Sequence, residues 1–290
     1  MNKILLVILI ISGVIAAGIA GFAGWFYIAD MSVKIATLSI EKGQVQVNPG
    51  SGWMMAEDGM NLKINDKIKT LADSTASIIL YESDIFRLDP NTEVSLKEIS
   101  SSKTTVRQES GSTWTKVASL SGARSYEVET PTTVATVRGT EFGIDADAEK
   151  ADIFVSEGIV NAQSEQESVD VKSDEKIRKK IGQKIEKMRL DEKDIAKINA
   201  NKLRDIERFK ELRMEIISKH RNLLAAAKKS YKFEDKDIED YLNKIDNEEV
   251  SEDEVISKLP IRTPSVEKAI KITREIKKLK KAMLKRQSNQ

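Results

Sequence analysis

The sequence contains no cysteine, one histidine and five prolines in 290 residues. The lack of cysteine excludes disulfide bonds, thiolate metal sites and thiol nucleophiles. The single histidine, His220, disfavours zinc sites built from imidazoles, because such sites take several nitrogen or sulfur ligands. His220 has no nucleophile motif beside it, and the chain contains no glycine-rich phosphate loop. We therefore expect a protein that is not an enzyme and that has no catalytic residue, metal or cofactor.

Charge is balanced over the whole chain but uneven along it. The net charge is +1, yet residues 31–172 hold 14 basic and 22 acidic residues, whereas residues 173–290 hold 32 basic and 23 acidic ones. Such asymmetry indicates separate modules. We predict three: a membrane anchor at 1–30, a β domain at 31–172 and a charged α-helical domain at 173–290.

The N-terminal segment carries a long run without charge, from Ile4 to Ala29. A transmembrane helix needs about 20 apolar residues, and Trp25 and Tyr27 lie near the end of the run, as interfacial anchors do. The run therefore predicts a single transmembrane helix that contacts lipid through residues 4–29, with a cleaved signal peptide as the alternative. Lys3 before the run and Asp30 after it favour a cytoplasmic N-terminus and an extracytoplasmic body.

The next part of the chain contains many short runs rich in alternating or β-branched residues. Turn signals such as Asn48-Pro49-Gly50 and Asp89-Pro90-Asn91 separate them. This pattern is typical of an all-β sandwich or roll. We expect Trp53 and Trp114 to be core or edge-covering aromatics, with a binding platform as the alternative. The predicted strands are 34–40, 44–47, 76–81, 85–88, 93–99, 104–108, 126–129, 134–137, 153–155 and 159–162.

The most distinctive stretch, residues 126–144, reads YEVETPTTVATVRGTEFGI. Its valines and threonines favour strands. Pro131 cannot donate to a strand ladder and marks a strand start or an edge, and Gly139 marks a bulge or a close backbone approach. Arg138 stands among apolar neighbours, so it is either a clamp that holds two strands or a ligand-facing side chain. The candidate site, structural or ligand-facing, comprises Thr130, Pro131, Val137, Arg138, Gly139, Thr140 and Phe142.

The segment from Thr130 to Phe142 resembles the signature of the FecR domain family. Residues 43–47 resemble the opening strand of that family, 65–70 and 73–80 resemble its second block, and 153–160 resemble its closing hairpin. Two departures lie in the middle: Asn65 replaces a glycine, and Glu82-Ser83-Asp84 replaces an Asp-Gly turn. The resemblance covers about residues 35–165 and implies an extracytoplasmic β-module.

Well-known FecR proteins are transmembrane regulators that relay an outer-membrane signal to a sigma factor through a cytoplasmic domain. Only about three residues precede the predicted span here. We therefore expect the β-module without the cytoplasmic anti-sigma domain of the family.

Composition changes near Ser173, where glycine becomes rare and Lys, Glu, Ile and Leu dominate. Apolar residues at helical spacing predict a helix from Ser173 to about residue 230, either continuous or restarted by an Asp191 cap, and a coiled coil is one arrangement for it. Two short acidic helices at 235–245 and 252–259 and a basic helix at about 265–285 are expected to follow. They would cover the apolar stripe as a hairpin or bundle, and self-association is the alternative. The stripe comprises Ile177, Ile181, Ile185, Met188, Ile195, Ile198, Leu203, Ile206, Phe209, Leu212, Ile216 and Leu223.

These features predict a non-catalytic binding or scaffolding protein of the cell envelope. Its partner would be an envelope component or another membrane protein. Nucleic acid is not expected, because binding it would require the basic tail to face the cytoplasm. The alternative is a signalling component that senses the envelope and acts through a partner membrane protein. An envelope hydrolase is a third possibility, although the sequence singles out no pair of carboxylates for it.

Overall fold

The computed structural model describes residues 36–81, 84–100, 102–117, 125–165, 167–219, 235–251 and 264–287. The predicted membrane anchor at 1–30 lies outside these residues. None of the described helices is long and apolar enough to cross a membrane. The described residues form sixteen strands and three helices, and most of the regular structure before Asp191 is β-strand.

Eight strands pair in the order β1-β5-β6-β8-β11-β12-β15-β16 and form sheet A, in which all pairs are antiparallel. These strands are β1 (Ala36–Lys42), β5 (Thr75–Leu80), β6 (Asp84–Leu88), β8 (Lys103–Lys116), β11 (Glu141–Ala146), β12 (Lys150–Glu157), β15 (Glu175–Lys180) and β16 (Glu186–Arg189).

Sheet B has the order β3-β2-β4-β7-β8-β9-β10-β13-β14, and only its β8–β9 pair is parallel. Its remaining strands are β2 (Val45–Asn48), β3 (Met54–Met55), β4 (Lys67–Thr70), β7 (Glu93–Ile99), β9 (Ser125–Glu129), β10 (Val134–Val137), β13 (Ile159–Gln163) and β14 (Ser168–Lys172).

Strand β8 belongs to both sheets. Residues 103–110 pair within sheet B, and residues 111–116 pair with β6 and β11 in sheet A. The change of sheet falls at Gly111, whose φ of 96° lies in a region that favours glycine. A side chain there would also meet Thr92, whose Cα atom lies 2.5 Å from the position of a Cβ atom. Glycine at this position therefore lets one strand bend from one sheet into the other.

The main core lies between the two sheets, where alternate residues of each strand point inward. Phe86 of sheet A and Tyr126 of sheet B are both buried there, with ring centroids 6.5 Å apart. The central strands of sheet A, β5, β6 and β11, are buried on both faces. On β5, Ile78 packs into the main core while its neighbour Ile79 packs against the helices. The predicted all-β module is thus confirmed, and helices form a third layer on sheet A.

The helical layer consists of α1 (Glu192–Lys219), α2 (Asp235–Asp246) and α3 (Pro264–Gln287). Helix α1 begins after Asp191, whose side chain accepts a hydrogen bond from the Asp194 amide at 2.9 Å, while Asp194 accepts one from the Asp191 amide at 3.0 Å. This reciprocal cap satisfies two of the free amides at the helix start. Much of the apolar stripe of α1 is covered within the chain, because Ile206, Phe209, Leu212 and Ile216 pack with residues of α3 and sheet A, whereas Leu203 is 55% exposed.

The prediction of a helix beginning at Ser173 is wrong. Residues 175–180 and 186–189 are strands β15 and β16, and helix begins only at Glu192. The isoleucines spaced by four that suggested a helix lie in different surroundings: Ile177 is fully buried in the main core, whereas Ile181 is 65% exposed in a turn. Pairing with β12 gives β15 a full ladder of backbone hydrogen bonds and buries Ile177, which outweighs a helical propensity of a few tenths of a kcal/mol per residue.

Candidate functional site

The chain moves from sheet B to sheet A within the Val-Arg-Gly-Thr-Glu-Phe motif. Strand β10 ends at Val137 in sheet B, residues 138–140 form the connection, and Glu141 begins β11 in sheet A. The Thr140 hydroxyl lies 3.2 Å from the Arg138 carbonyl and 3.3 Å from the Ile159 carbonyl, its two acceptors, and Thr140 accepts a bond from the Val117 amide at 3.1 Å. These hydrogen bonds fix the backbone of the connection and thereby the directions in which the next two side chains, Glu141 and Phe142, point.

Phe142 points into the main core and Glu141 points to the opposite face of sheet A. Both side chains are fully buried. Burial of a carboxylate is costly unless it is paired, and Glu141 is paired twice. Its two oxygens lie 2.6 Å from the Lys116 ammonium and 2.8 Å from the Lys202 ammonium. Ser156 donates a further hydrogen bond of 3.3 Å to it.

Lys116 also lies 3.3 Å from a carboxylate oxygen of Glu275 on α3. The four residues Lys116, Glu141, Lys202 and Glu275, which we call the Glu141 cluster, thus join β8, β11, α1 and α3. Two positive and two negative charges make it neutral, and each side chain is at most 8% exposed. The cluster is the point at which the motif reaches both helices.

A second buried group lies beside it. The Asp205 carboxylate, one helical turn after Lys202, accepts hydrogen bonds from the Arg87 guanidinium at 2.8 Å and from the Trp114 indole at 2.7 Å. Arg87 reaches Glu41 on β1 at 3.1 Å as well. Lys202 and Asp205 are three residues apart on α1, so they share the face that meets sheet A. Arg87, Trp114 and Asp205 form the Asp205 cluster.

The electrostatic environment favours the charged forms in the Glu141 cluster. Burial alone would raise the pKa of Glu141, but the ammonium groups of Lys116 and Lys202 outweigh it and lower that pKa from 4.5 to about 2. Burial opposes the charged form of Lys116, yet Glu141 and Glu275 together raise the pKa of Lys116 above its ordinary value. Glu141 and Lys116 therefore remain an ion pair at neutral pH.

The sheet surface next to these clusters is shaped to receive α1. The Phe154 ring lies directly over Gly143, where any Cβ atom would be only 2.0 Å from the ring. The rings of Phe154 and Trp114 are tilted by 30° with centroids 6.2 Å apart, and Ile198 of α1 packs against both. Lys197 sits 5.0 Å above the Phe154 ring, within the range of a cation–π contact. Apolar packing and ion pairing thus act on the same helix face.

The helical layer has its own buried ion pair. Arg213 of α1 contacts Asp246 at the end of α2 through two hydrogen bonds of 2.6 and 2.8 Å. It also donates to the Thr273 hydroxyl of α3 at 3.0 Å. Two-pronged pairs of this kind fix geometry as well as charge. One arginine therefore holds the three described helices together.

The predicted motif residues divide between the core and the surface. Val137, Thr140 and Phe142 are buried, and the Thr130 hydroxyl closes the β9–β10 turn by donating to the Thr133 carbonyl at 2.8 Å. Pro131 lies in that turn. Arg138 and Gly139 are exposed in the sheet-to-sheet connection. Within the described part of the chain the Arg138 guanidinium has no ion-pair partner, so its surroundings do not match those of a clamp.

The turn at Thr130 borders an open groove with a volume of about 770 Å³. Arg138 does not line it. The groove contains hydroxyl, amide and charged groups together with the exposed apolar side chains of Pro131 and Ile181. The groove is a concave, largely polar surface beside the first residues of the motif. Its lining residues are Thr130, Pro131, Thr132, Thr133, Val134, Gln163, Ser164, Glu165, Lys179, Ile181 and Gly182.

Sequence reasoning missed the five charged residues that the structure brings together: Arg87, Lys116, Glu141, Lys202 and Asp205. Two signals were available. Arg87 stands inside the apolar run Ile85-Phe86-Arg87-Leu88, and Lys202 and Asp205 interrupt the apolar face of α1. A charge within a face that is otherwise apolar needs a buried partner. Among the described residues, no cluster of His, Cys, Asp and Glu could hold a metal ion.

Comparison with known proteins identifies the β domain. Residues 66–161 match the family model described as FecR protein. Two crystal structures of one candidate anti-sigma factor from Parabacteroides distasonis, at 2.50 and 1.65 Å resolution, also resemble this chain. Each is 18% identical with a TM-score of 0.40, and the match covers 45% of this chain and 62% of the other, which is less than two thirds of its length. No curated protein matches the chain.

Proposed function

Because residues 66–161 form a FecR-like domain, we propose that this chain is a membrane-anchored protein of the cell envelope. Its β domain lies outside the cytoplasm and is a non-catalytic binding module. Its helical segment, from Glu192 onward, packs on the β domain and positions that domain for binding to an envelope component.

The observation that carries this proposal is the way in which sheet A binds α1 and α3. Four charged side chains are buried there and form ion pairs with other residues of the chain: Glu141, Lys116, Arg87 and Asp205. Side chains paired in this way are not accessible to a substrate. Opposite charges that are matched across an interface give specificity to the association of its two surfaces, here sheet A and the helices. The FecR match over residues 66–161 supports the same conclusion, since the resemblance to that family implies regulators and not enzymes.

The membrane location is supported by the uncharged run Ile4–Ala29. The test is fractionation of cells that express the full chain. We expect the protein to remain with membranes after alkaline carbonate washing and to be released by detergent. Protease added to spheroplasts is expected to digest the helical segment without lysis. Recovery of the intact chain in the soluble fraction, or protection of the segment until lysis, would contradict the proposal.

The binding role can be tested at the groove beside Thr130. The full chain in detergent micelles would be sedimented with purified cell-wall polysaccharide. Thr132 lines the groove, so Thr132→Lys is expected to fill it and to reduce sedimentation at least tenfold, whereas Thr132→Ser is expected to behave as wild type. Equal melting temperatures for both variants would show that folding is intact. If the wild-type chain does not sediment with the polysaccharide, the cell-wall polymer is excluded as its partner.

A second candidate function is envelope signalling through a partner membrane protein. It is favoured by the FecR match together with the Ala17-x-x-x-Gly21 pattern, a small-residue spacing that lets two transmembrane helices approach closely. Because the chain has no cysteine, Gly21→Cys provides a unique site for disulfide or bifunctional cross-linking in membranes. A cross-linked species of one defined mass with a different protein would support signalling, and a species of twice the mass of the chain would indicate self-association instead.

A further inference from the structure

An apolar and basic surface surrounds the short strand β3. Trp53, Met54 and Met55 are consecutive and are 40%, 50% and 48% exposed, and Ile64 is 49% exposed. The other large apolar side chains that are exposed in the described residues occur singly along the sequence. Consecutive exposed apolar residues mark an interaction surface. We call these four residues, with Lys63, Lys67 and Lys69, the Trp53 surface.

Strand pairing locates this surface at the end of the domain where the chain enters it. The Leu62 amide donates to the carbonyl of Ala36, the first described residue, at 3.0 Å. Ile64 is two residues after Leu62 and therefore lies close to Ala36, where the chain enters the domain. At the end of β2, Asn48 pairs with Lys67 and the preceding residue, Val47, pairs with Met54. Apolar and basic members of the surface thus flank one strand end.

Only a short piece of chain separates Ala36 from the uncharged run that ends at Ala29. Seven residues span at most about 25 Å when fully extended. With the anchor proposed above in the bilayer, this length limits how far Ala36 can lie from the lipid headgroups. The Trp53 surface is therefore within reach of the membrane, and its side chains would face lipid headgroups there.

We propose that the Trp53 surface rests on the membrane and inserts its apolar side chains between anionic lipid headgroups. Tryptophan prefers the interfacial region, and lysines next to it attract anionic lipid phosphates. Lys63 and Lys67 are exposed, and Lys69 lies 5.9 Å from the Trp53 ring centroid. Lys69 is also 3.7 Å from Glu93, so Lys63 and Lys67 carry most of the attraction. This proposal rests on the membrane anchor proposed above.

The strand edge itself argues against a protein strand as the occupant. Strand β3 contains two residues only, Met54 and Met55. Addition of a partner strand requires a row of unpaired backbone groups along the edge, and two residues provide too short a row. A lipid surface makes no such demand, because it is bound through side chains.

The chain offers a clean labelling experiment because it lacks cysteine. Met54→Cys places an environment-sensitive fluorophore in the surface. Ile159→Cys is the matched control, since Ile159 is 52% exposed and lies on β13, seven strands away in sheet B. Each full-length labelled chain would be reconstituted into nitroxide-lipid vesicles of phosphatidylcholine with about 30% phosphatidylglycerol, an anionic lipid that gives the surface a negative potential.

We expect the label at position 54 to be quenched at least threefold more strongly than the label at 159. Vesicles of phosphatidylcholine alone, or the added changes Lys63→Gln and Lys67→Gln, are expected to reduce that difference. Equal quenching at the two positions would overturn the proposal, and a difference that is independent of lipid charge would overturn the role assigned to the lysines. All these changes are at exposed positions, and an unchanged melting temperature would confirm folding.

Flotation of the same vesicles separates this inference from the anchor on which it rests. If the chain floats but the label at 54 remains in water, the anchor stands and the inference is wrong. If the chain does not float, the anchor is wrong and the inference falls with it.

Discussion

The Glu141 cluster predicts a large effect for Glu141→Gln. The substitution keeps the shape of the side chain but removes the charge that faces Lys116 and Lys202 at 2.6 and 2.8 Å. Lys116 would then keep Glu275 as a counter-charge at 3.3 Å, whereas Lys202 would lose the carboxylate that it contacts. Removal of one partner from a buried ion pair costs about 3–5 kcal/mol of folding free energy.

The pKa of Glu141 gives an independent magnitude. Its fall from 4.5 to about 2 in the folded protein corresponds to about 3 kcal/mol of stabilisation by the charged form. Because the folded pKa lies below the unfolded one, this contribution is fully present above about pH 4.5 and disappears as the pH falls toward 2.

The assay is thermal unfolding of the full chain in detergent micelles, followed by circular dichroism. For a domain of this size a loss of 3 kcal/mol lowers the melting temperature by about 6–12 °C at neutral pH. The difference between wild type and variant should shrink as the pH is lowered from 5 to 2. Glu149→Gln, in the exposed β11–β12 turn, is the control and should change the free energy of unfolding by less than about 0.5 kcal/mol.

A double-mutant cycle identifies the cause. Replacing Lys202 by methionine as well removes an unpaired charge and keeps most of the side-chain volume, so Glu141→Gln/Lys202→Met is expected to be more stable than Glu141→Gln alone. A melting temperature for Glu141→Gln within 1 °C of wild type at neutral pH would refute the reasoning.

Three further predictions concern single residues. Arg138→Ala should change the free energy of unfolding by less than about 0.5 kcal/mol, because the side chain is exposed; a larger loss in urea unfolding would restore the clamp interpretation. Gly143→Ala should cost about 1–3 kcal/mol, since the new methyl group overlaps the Phe154 ring, and adding Phe154→Leu should recover part of that loss. Trp114→Phe should cost about 1–3 kcal/mol, because Asp205 loses a buried donor, and hydrogen exchange should report faster opening of α1.

Much of the β domain could be predicted because its signal is local. Each strand predicted between residues 34 and 162 overlaps a strand of the structure, and for 93–99 and 134–137 the limits coincide. Alternation of buried and exposed residues and the turn residues between strands are visible in a short window. The FecR resemblance is confirmed over residues 66–161. Trp114 is the predicted core aromatic, whereas Trp53 is exposed.

The candidate site could not be predicted in the same way because its partners are remote in sequence. Arg87 and Asp205 are 118 residues apart, and nothing local to either indicates the other. The motif was recognised from its sequence, but the predicted site included Arg138, which is exposed, and omitted Glu141, which is fully buried. The error at Ser173 has a related origin: a helical spacing of isoleucines was read without the neighbouring strand β12, which makes β15 the better solution.

The shared strand β8 has a consequence for how the domain responds to force and to denaturant. Its first eight residues are hydrogen-bonded in sheet B and its last six in sheet A, joined without a loop. Neither sheet can unfold without disturbing β8, and β8 is also hydrogen-bonded to the other sheet. We expect the two layers to unravel together in one cooperative step, so amides on β5 and on β9 should exchange with deuterium at the same slow rate, although they lie in opposite layers.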